Sequence, residues 1–327
     1  AECHSTHLEK NYDLATDSYQ TSWSEIDVAC EACHGPGSNH VAWAAAAAAD
    51  PAAERDANKG LVIDFADRDA AVWQTDPQTG KPQRSKPRTS HTQIELCARC
   101  HARRGQIWDD YEYGKPLYNT HRLALLEEQL YFPDGQIKDE VYVYGSFIQS
   151  RMYAAGVTCT DCHEPHSLKL RAEGNGVCAT CHFPSRYDTP AHHHHPEDSQ
   201  SSACTACHMP QRNYMVIDAR ADHSLRVPRP DLSEALGTPN ACNACHSHKT
   251  AAWAAEVLER WYPDSSHRGP HFGQALHAGH SNSPQAPEHL LALAADRKQP
   301  GIARATALDR LQDHAQPEQL MTVQRLL

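Results

Sequence analysis

The pattern Cys-x-x-Cys-His occurs six times, at Cys30, Cys33 and His34, at Cys97, Cys100 and His101, at Cys159, Cys162 and His163, at Cys178, Cys181 and His182, at Cys204, Cys207 and His208, and at Cys242, Cys245 and His246. The opening Ala1-Glu2-Cys3-His4 reads as the tail of a seventh copy whose first cysteine would precede residue 1, so the chain is expected to be truncated there. Together these copies use all 13 cysteines and leave none for a separate disulfide framework. Two thiols three residues apart span one helical turn and bring the next imidazole to the same side. That is the attachment pattern of c-type haem, in which both thiols add to vinyl groups and the histidine becomes an axial iron ligand. A lone Cys-x-x-Cys reads equally well as a thiol redox pair or half a zinc site. With 24 histidines in 327 residues, finding one behind all six pairs by chance is on the order of one in ten million. A disulfide scaffold predicts neither the constant interval nor the trailing histidine.

About seven haem c groups therefore set the fold class. Only 5 Phe and 4 Met serve the chain and its mean hydropathy is -0.67, so side chains alone supply little core. One haem for roughly every 47 residues makes porphyrin the main interior material. The expected architecture is mainly α and irregular, a multihaem cytochrome c with a haem-dominated core followed by helical hairpin repeats. Residues 1–248 form the expected multihaem domain and 249–327 a helical region, the start of an array of the TPR or HEAT kind. The array is expected to be cut short at Leu327.

Within this frame, 40–50 reads as an alanine-rich helix and 51–90 as a surface excursion containing 61–65 as apolar cover for a haem face. Residues 121–132 look helical, and the "VYVY" run at 141–144 is compatible with a short strand. Trp253, Val257, Leu258 and Trp261 share a face of a predicted helix, and further helices are expected to start at Pro287, Pro300 and Pro317.

His4, His34, His101, His163, His182, His208 and His246 are the expected proximal ligands. Four methionines are too few to serve every iron, so the second position falls to histidine, which implies low potentials relative to Met/His haems. Candidates are His7, His40, His91, His166, His192, His195, His223 and His277. His271 is a further ligand candidate in the tail, His121 at a helix start reads either as a ligand or as a surface residue, and His248, His267, His280, His289 and His314 read as surface residues. His166 stands three after His163 and points toward a neighbouring haem; His7 repeats that spacing after His4.

Net charge is -11 with a pI near 6.1, which argues against nucleic acid and anionic membranes as partners. No apolar run is long enough to span a bilayer. The stretches "IELCARCH", "YGSFIQSRMYAAGVTCTDCHEPH", "CTACHMPQRNYM", "DHSLRVPRPD" and "GTPNACNACH" resemble bacterial multihaem c-type cytochromes with a helical-repeat C-terminus, related more distantly to the cytochrome c nitrite reductase and hydroxylamine oxidoreductase superfamily. The resemblance spans roughly residues 25 to 310. It implies a loop-rich helical fold around haem pairs, in the periplasm or outside the cell, with redox proteins or further copies of the chain as partners. Electron transfer along the haems is one expected function, in respiratory or extracellular transport and within a larger or filamentous assembly. The competing expectation is an oxidoreductase with one open haem acting on a small nitrogen compound or peroxide, with Arg151, Tyr153 or Tyr187 nearby. The chain departs from the nitrite reductase pattern in having no Cys-x-x-Cys-Lys motif.

Overall fold

The computed structural model describes residues 2–52, 56–65, 71–314 and 320–326. Each Cys-x-x-Cys-His motif lies wholly or in part on a helical turn, which brings its two thiols to one side. Helices Cys30–His34, Thr92–His101, Cys159–Cys162, Gly176–Ala179, Cys204–His208 and Ala241–Cys245 carry the six complete motifs wholly or in part, and a 3-10 turn, Glu2–His4, carries Cys3. Strand content among the described residues is confined to two-stranded antiparallel ladders. The architecture is thus mainly helical and irregular, and none of the described helices is long and apolar enough to cross a membrane.

Two compact units are formed. The first comprises Ala1–Val72 with Ser85–Leu123, and the second Trp73–Arg84 with Ala124–Leu327. In the first, Ile94, Leu96 and Ala98 of helix Thr92–His101 pack inward with Leu117 and Leu123. The N-terminal turn is tied to the same helix's exit, since Arg104 pairs with Glu2 and also donates to the Arg99 carbonyl. This fixes Cys3 and His4 in the first unit. Residues 61–65 run as irregular chain whose Ile63 is buried, and Phe65 lies against His34 with ring centres 5.0 Å apart. The neighbouring 66–70, part of the expected excursion, and 53–55 lie outside the described residues.

In the second unit the C-terminal helices Phe272–His280, Ala286–Ala295 and Gly301–Leu311 stack through Leu276, Leu290, Leu293, Ile302 and Ala307. They are fused to the preceding chain. A Cβ on Gly273 would come within 2.8 Å of Asp134 Cα, and the Leu126 amide donates to Thr306 Oγ1 at 3.1 Å. Pro300 lies at the N-cap of helix Gly301–Leu311, and Pro287 falls in the first turn of helix Ala286–Ala295. The last helix is Leu320–Leu326; its expected start at Pro317 and its end at Leu327 lie outside the described residues.

Two local expectations are corrected. Residues 121–132 are not a helix: His121–Leu123 pairs as a strand with Arg104–Gln106, and turns follow. The leucine spacing there mimics a helix, but Leu123, Leu126 and Leu130 are buried along an irregular path whose backbone bonds run to a strand, to Thr306 and to 138–139. Nor does "VYVY" form a strand. Tyr142 has φ 59° and the helical turn Tyr144–Phe147 begins two residues on.

Candidate haem centres

All thirteen thiols are free of disulfides, and no cluster of three or more His, Cys, Asp or Glu among the described residues is arranged to hold a metal ion alone. The thiols gather by neighbouring motifs instead. In the first unit, burial pushes the Cys100 thiol up to about 11, with Cys3 and Cys33 adding to the rise and Arg99 and Arg104 opposing it. In the second unit, Cys162 is also raised to about 11, by burial first, with Cys181 among the negative neighbours. Cys178 and Cys204 are hydrogen-bonded to each other, and Cys207 lies within electrostatic reach of Cys242 and Cys245. The four motifs of this unit therefore neighbour one another in chain order.

A six-coordinate haem would take a second ligand facing the proximal imidazole across the iron. Two iron–nitrogen bonds of about 2.0 Å, each with a ring centre about 1.1 Å beyond the nitrogen, put the two ring centres roughly 6.2 Å apart. Four histidine pairs have this spacing; one, His246 with His248 at 6.4 Å and 61°, joins rings only two residues apart in the chain, and three join separate segments. His163 and His223 lie 6.4 Å apart with planes at 25°, His192 and His208 6.2 Å apart at 13°, and His195 and His246 6.4 Å apart at 28°. Each of these three joins a motif histidine to one outside the motifs, His192 from the short helix Pro190–His193 and His195 and His223 from irregular chain, at a separation suited to an atom between. The donor set fits the group.

Ring orientation is fixed from behind. A ligating imidazole coordinates through one nitrogen and donates from the other, and a main-chain carbonyl is the usual acceptor. His34 Nδ1 donates to the Ile63 carbonyl at 3.0 Å, His208 Nδ1 to Arg226 at 2.8 Å, His223 Nδ1 to Ala221 at 3.0 Å and His195 Nδ1 to His193 at 2.5 Å. His40 Nδ1 likewise meets the Lys59 carbonyl at 2.8 Å, its ring beside Trp43. In each case the proton sits on Nδ1, which makes Nε2 the basic nitrogen that a ligand requires. Burial lowers the pKa of His163, of His182 and of His192, in the last two with His208 as the second cause, which favours the neutral ring that ligation requires.

The remaining candidates are placed differently. His7 Nε2 is buried with no hydrogen-bond partner while Nδ1 meets Ser24 Oγ at 3.0 Å, the signature of a nitrogen aimed at something other than protein. His91 Nδ1 faces Arg88 Nη2 at 3.3 Å, and burial lowers its pKa, with Arg88 next. His121 is buried, held by the Thr120 hydroxyl at 2.8 Å, and lowered to about 4 by burial and then Arg104. His166 is solvated, its side chain 78% exposed beside Glu164. His277 is half-buried within helix Phe272–His280. His271 caps that helix, its Nδ1 accepting from the Gly273 amide at 3.1 Å, and so keeps its proton on Nε2. His4 and His101 end their motifs at exposed positions.

Three further groups stand at the sites, of which Arg151 and Tyr187 are expected from the sequence and the aromatics of 253–262 and the hairpin at 73–84 are not. Helix Ala251–Trp261 buries Ala254 and Val257 but sends its aromatics to the histidines: Trp253 to His246 at 5.2 Å and Trp261 to His194 at 4.1 Å, with Tyr262 just past its end donating to the His192 carbonyl. The hairpin Trp73–Thr75 with Pro82–Arg84 closes on the motif at 178–182 through Thr75 Oγ1 to the Cys181 carbonyl at 3.2 Å, and Tyr187 touches both His182 and His192 edge-on at 5.5 and 5.4 Å. The aromatic pair following a four-histidine run was the available clue. Arg151 lies on the wall of a cleft of about 160 Å³ shared with Cys207, Arg226, Arg229, His267 and His271. Arg229 is tied there to Asp231 at 2.7 Å, and Arg226 lies between Asp134 and Asp222 at 3.7 and 3.8 Å.

No family model and no curated protein matches the chain. Among solved structures it is similar to the outer cell wall cytochrome OcwA, at 17% identity and a TM-score of 0.50, over 100% of this chain and 75% of that one. The fold is therefore that of a cytochrome, and the likeness carries no more than the fold.

Proposed function

We propose that the chain transfers electrons through about seven covalently bound, mostly bis-histidine c-type haems, in respiratory or extracellular electron transport. The observation that carries this reading is that His163 and His223, His192 and His208, and His195 and His246 bring a motif histidine and one from a separate segment to 6.2 to 6.4 Å. Haem supplies the one-electron chemistry when bound; the chain's own work is to hold each iron between two neutral imidazoles so that little rearranges as charge moves. Cys3, Cys30, Cys33, Cys97, Cys100, Cys159, Cys162, Cys178, Cys181, Cys204, Cys207, Cys242 and Cys245 are the attachment thiols in this reading. The cell-wall location in the neighbour's name supports a site outside the cytoplasm, periplasmic or extracellular, with redox proteins or further copies of the chain as partners.

A second reading, an oxidoreductase with one open iron, is favoured by one observation. The ring contact made by His182 is with Tyr187, edge-on at 5.5 Å, which puts a phenol beside that motif's imidazole. Electron paramagnetic resonance of the oxidised protein, quantified against haem and repeated with cyanide and with nitrite, separates the two. Low-spin signals alone, unmoved by either anion, support the carrier; about one high-spin iron in seven that shifts on addition supports the enzyme.

A further inference from the structure

His192, His193, His194 and His195 are consecutive, yet the first faces His208 and the last faces His246, the histidines of two different motifs. We propose that this run is a two-iron clip: one four-residue segment supplies the second axial ligand to two successive haems, and Trp261 and Tyr262 pin it so that the two behave as one coupled redox pair. The inference rests on the haem-ligand reading above and adds the coupling to it.

The local backbone explains how one short segment serves two sites. Residues three apart on a helix share a face and would present their rings to the same side. Here helix Pro190–His193 stops, and His194 takes the left-handed conformation at φ 56° and ψ 30°, which turns His195 away from the line of His192. His193 is spent on the turn: its carbonyl accepts from His195 Nδ1 at 2.5 Å and its own Nδ1 accepts from the His195 amide at 3.2 Å. His194 is spent on the pin. Its ring stacks on Trp261 at 4.1 Å and 10°, Tyr262 meets it edge-on at 5.5 Å, and its Nε2 is buried without a hydrogen-bond partner. Tyr262 also donates to the His192 carbonyl, and Trp261 meets His195 edge-on at 6.5 Å. Every residue of the run is thus either a facing imidazole or part of what holds the two facing imidazoles in register.

The two motifs lie side by side, because helices Cys204–His208 and Ala241–Cys245 are in direct contact. A three-residue step spans at most about 11 Å of chain, so the two ligands cannot drift apart. The step served is a bare electron exchange, in which one iron is oxidised as the other is reduced and no bond forms or breaks. A displacement of one ligand is passed along the clip to the other.

The test uses the full haem-loaded chain, reduced with dithionite and titrated with carbon monoxide, alongside resonance spectra of the oxidised form. His192→Ala and His195→Ala are each expected to open one iron and to shift the low-spin signal of the other. Trp261→Ala is expected to open both irons together, and Trp261→Phe to keep both closed. Should Trp261→Ala fail to accumulate, His194→Gly tests the same point, since glycine keeps the left-handed turn while losing the stack; it too should open both. If His192→Ala and His195→Ala each open one iron without disturbing the other, or if loss of the pin opens one or none, the clip is refuted and the ligand reading stands. If neither alanine variant opens an iron, the ligand reading itself falls.

Discussion

His271 offers a stability test whose size follows from its surroundings. It sits at the N-cap of helix Phe272–His280, Nδ1 accepting from the Gly273 amide, while the Gln274 side chain accepts from its own amide at 3.0 Å. Burial drives its pKa down to about 3, with Arg226 and Arg229 adding to the fall and Asp231 opposing it. Unfolded, the same imidazole titrates near 6.5. A depressed histidine is neutral in the fold, so its contribution is intact above about pH 6.5 and is lost progressively as the pH falls toward 3. At pH 5 the chain forgoes about 1.5 pH units of binding, or about 2 kcal/mol, and near pH 3 about 5 kcal/mol. Protonation also takes the cap acceptor away from Gly273. Asparagine keeps a cap acceptor without the charge, so His271→Asn should match the wild type at pH 7.5 and exceed it by about 2 kcal/mol at pH 5. Urea midpoints followed by circular dichroism, compared as differences between the two proteins at each pH, measure this. Parallel pH profiles for the two would refute the assignment of acid lability to this ring.

Four further outcomes are expected. His223→Ala should open one iron to carbon monoxide while His166→Ala opens none, because the first ring faces His163 at 6.4 Å and the second is solvated. Asp222, 2% exposed, accepts from the Ile137 and Ser224 amides and the Ser224 hydroxyl and faces Arg226 at 3.8 Å; Asp222→Ala should cost about 3 to 5 kcal/mol in urea unfolding and broaden the low-spin signal of the His163–His223 iron next door. Gly273→Ala should cost about 1 to 3 kcal/mol in the same assay, since the new Cβ meets backbone at Asp134 that has little room to yield. Leu290→Ala, at a fully buried position between C-terminal helices, should cost about 2 to 5 kcal/mol while leaving the haem spectra unchanged.

What was legible in the sequence was the local chemistry. A motif of five residues encodes its own helical turn, so the thiols and proximal histidines needed no tertiary information. The facing histidines do need it: His223 reaches His163 by way of the Gln211–Tyr214 and Asp218–Ala221 hairpin, and nothing in the residues around His223 encodes its partner. Periodicity misled at 121–132, where leucines spaced as on a helix are buried by an irregular path. At Trp253 and Trp261 periodicity gave the right helix and the wrong neighbour, because an apolar stripe does not say whether it will meet another helix or a set of imidazoles. The segment 73–84, polar enough to read as a surface excursion, is held at Cys181 by one threonine hydroxyl and by Gln78 and Thr79 carbonyls that meet Arg186 and Tyr187.

The irregularity of the chain follows from the same demand. A helix or ladder spends its carbonyls on its own amides, whereas an imidazole aimed at a metal needs a carbonyl behind it. The five carbonyls that meet Nδ1 of His34, His40, His195, His208 and His223 belong to Ile63, Lys59, His193, Arg226 and Ala221. Ile63, Lys59 and Arg226 lie in loops and turns, His193 ends a helix where the last carbonyls have no intrahelical partner, and Ala221 ends a strand. Lengthening the regular elements over these positions would consume the acceptors that orient the rings. The imidazole itself can ride on a helix, as His40 does on Ser38–Ala49, so long as its acceptor lies outside one; in the C-terminal stack beyond Phe272 the apolar side chains of the helices supply the core.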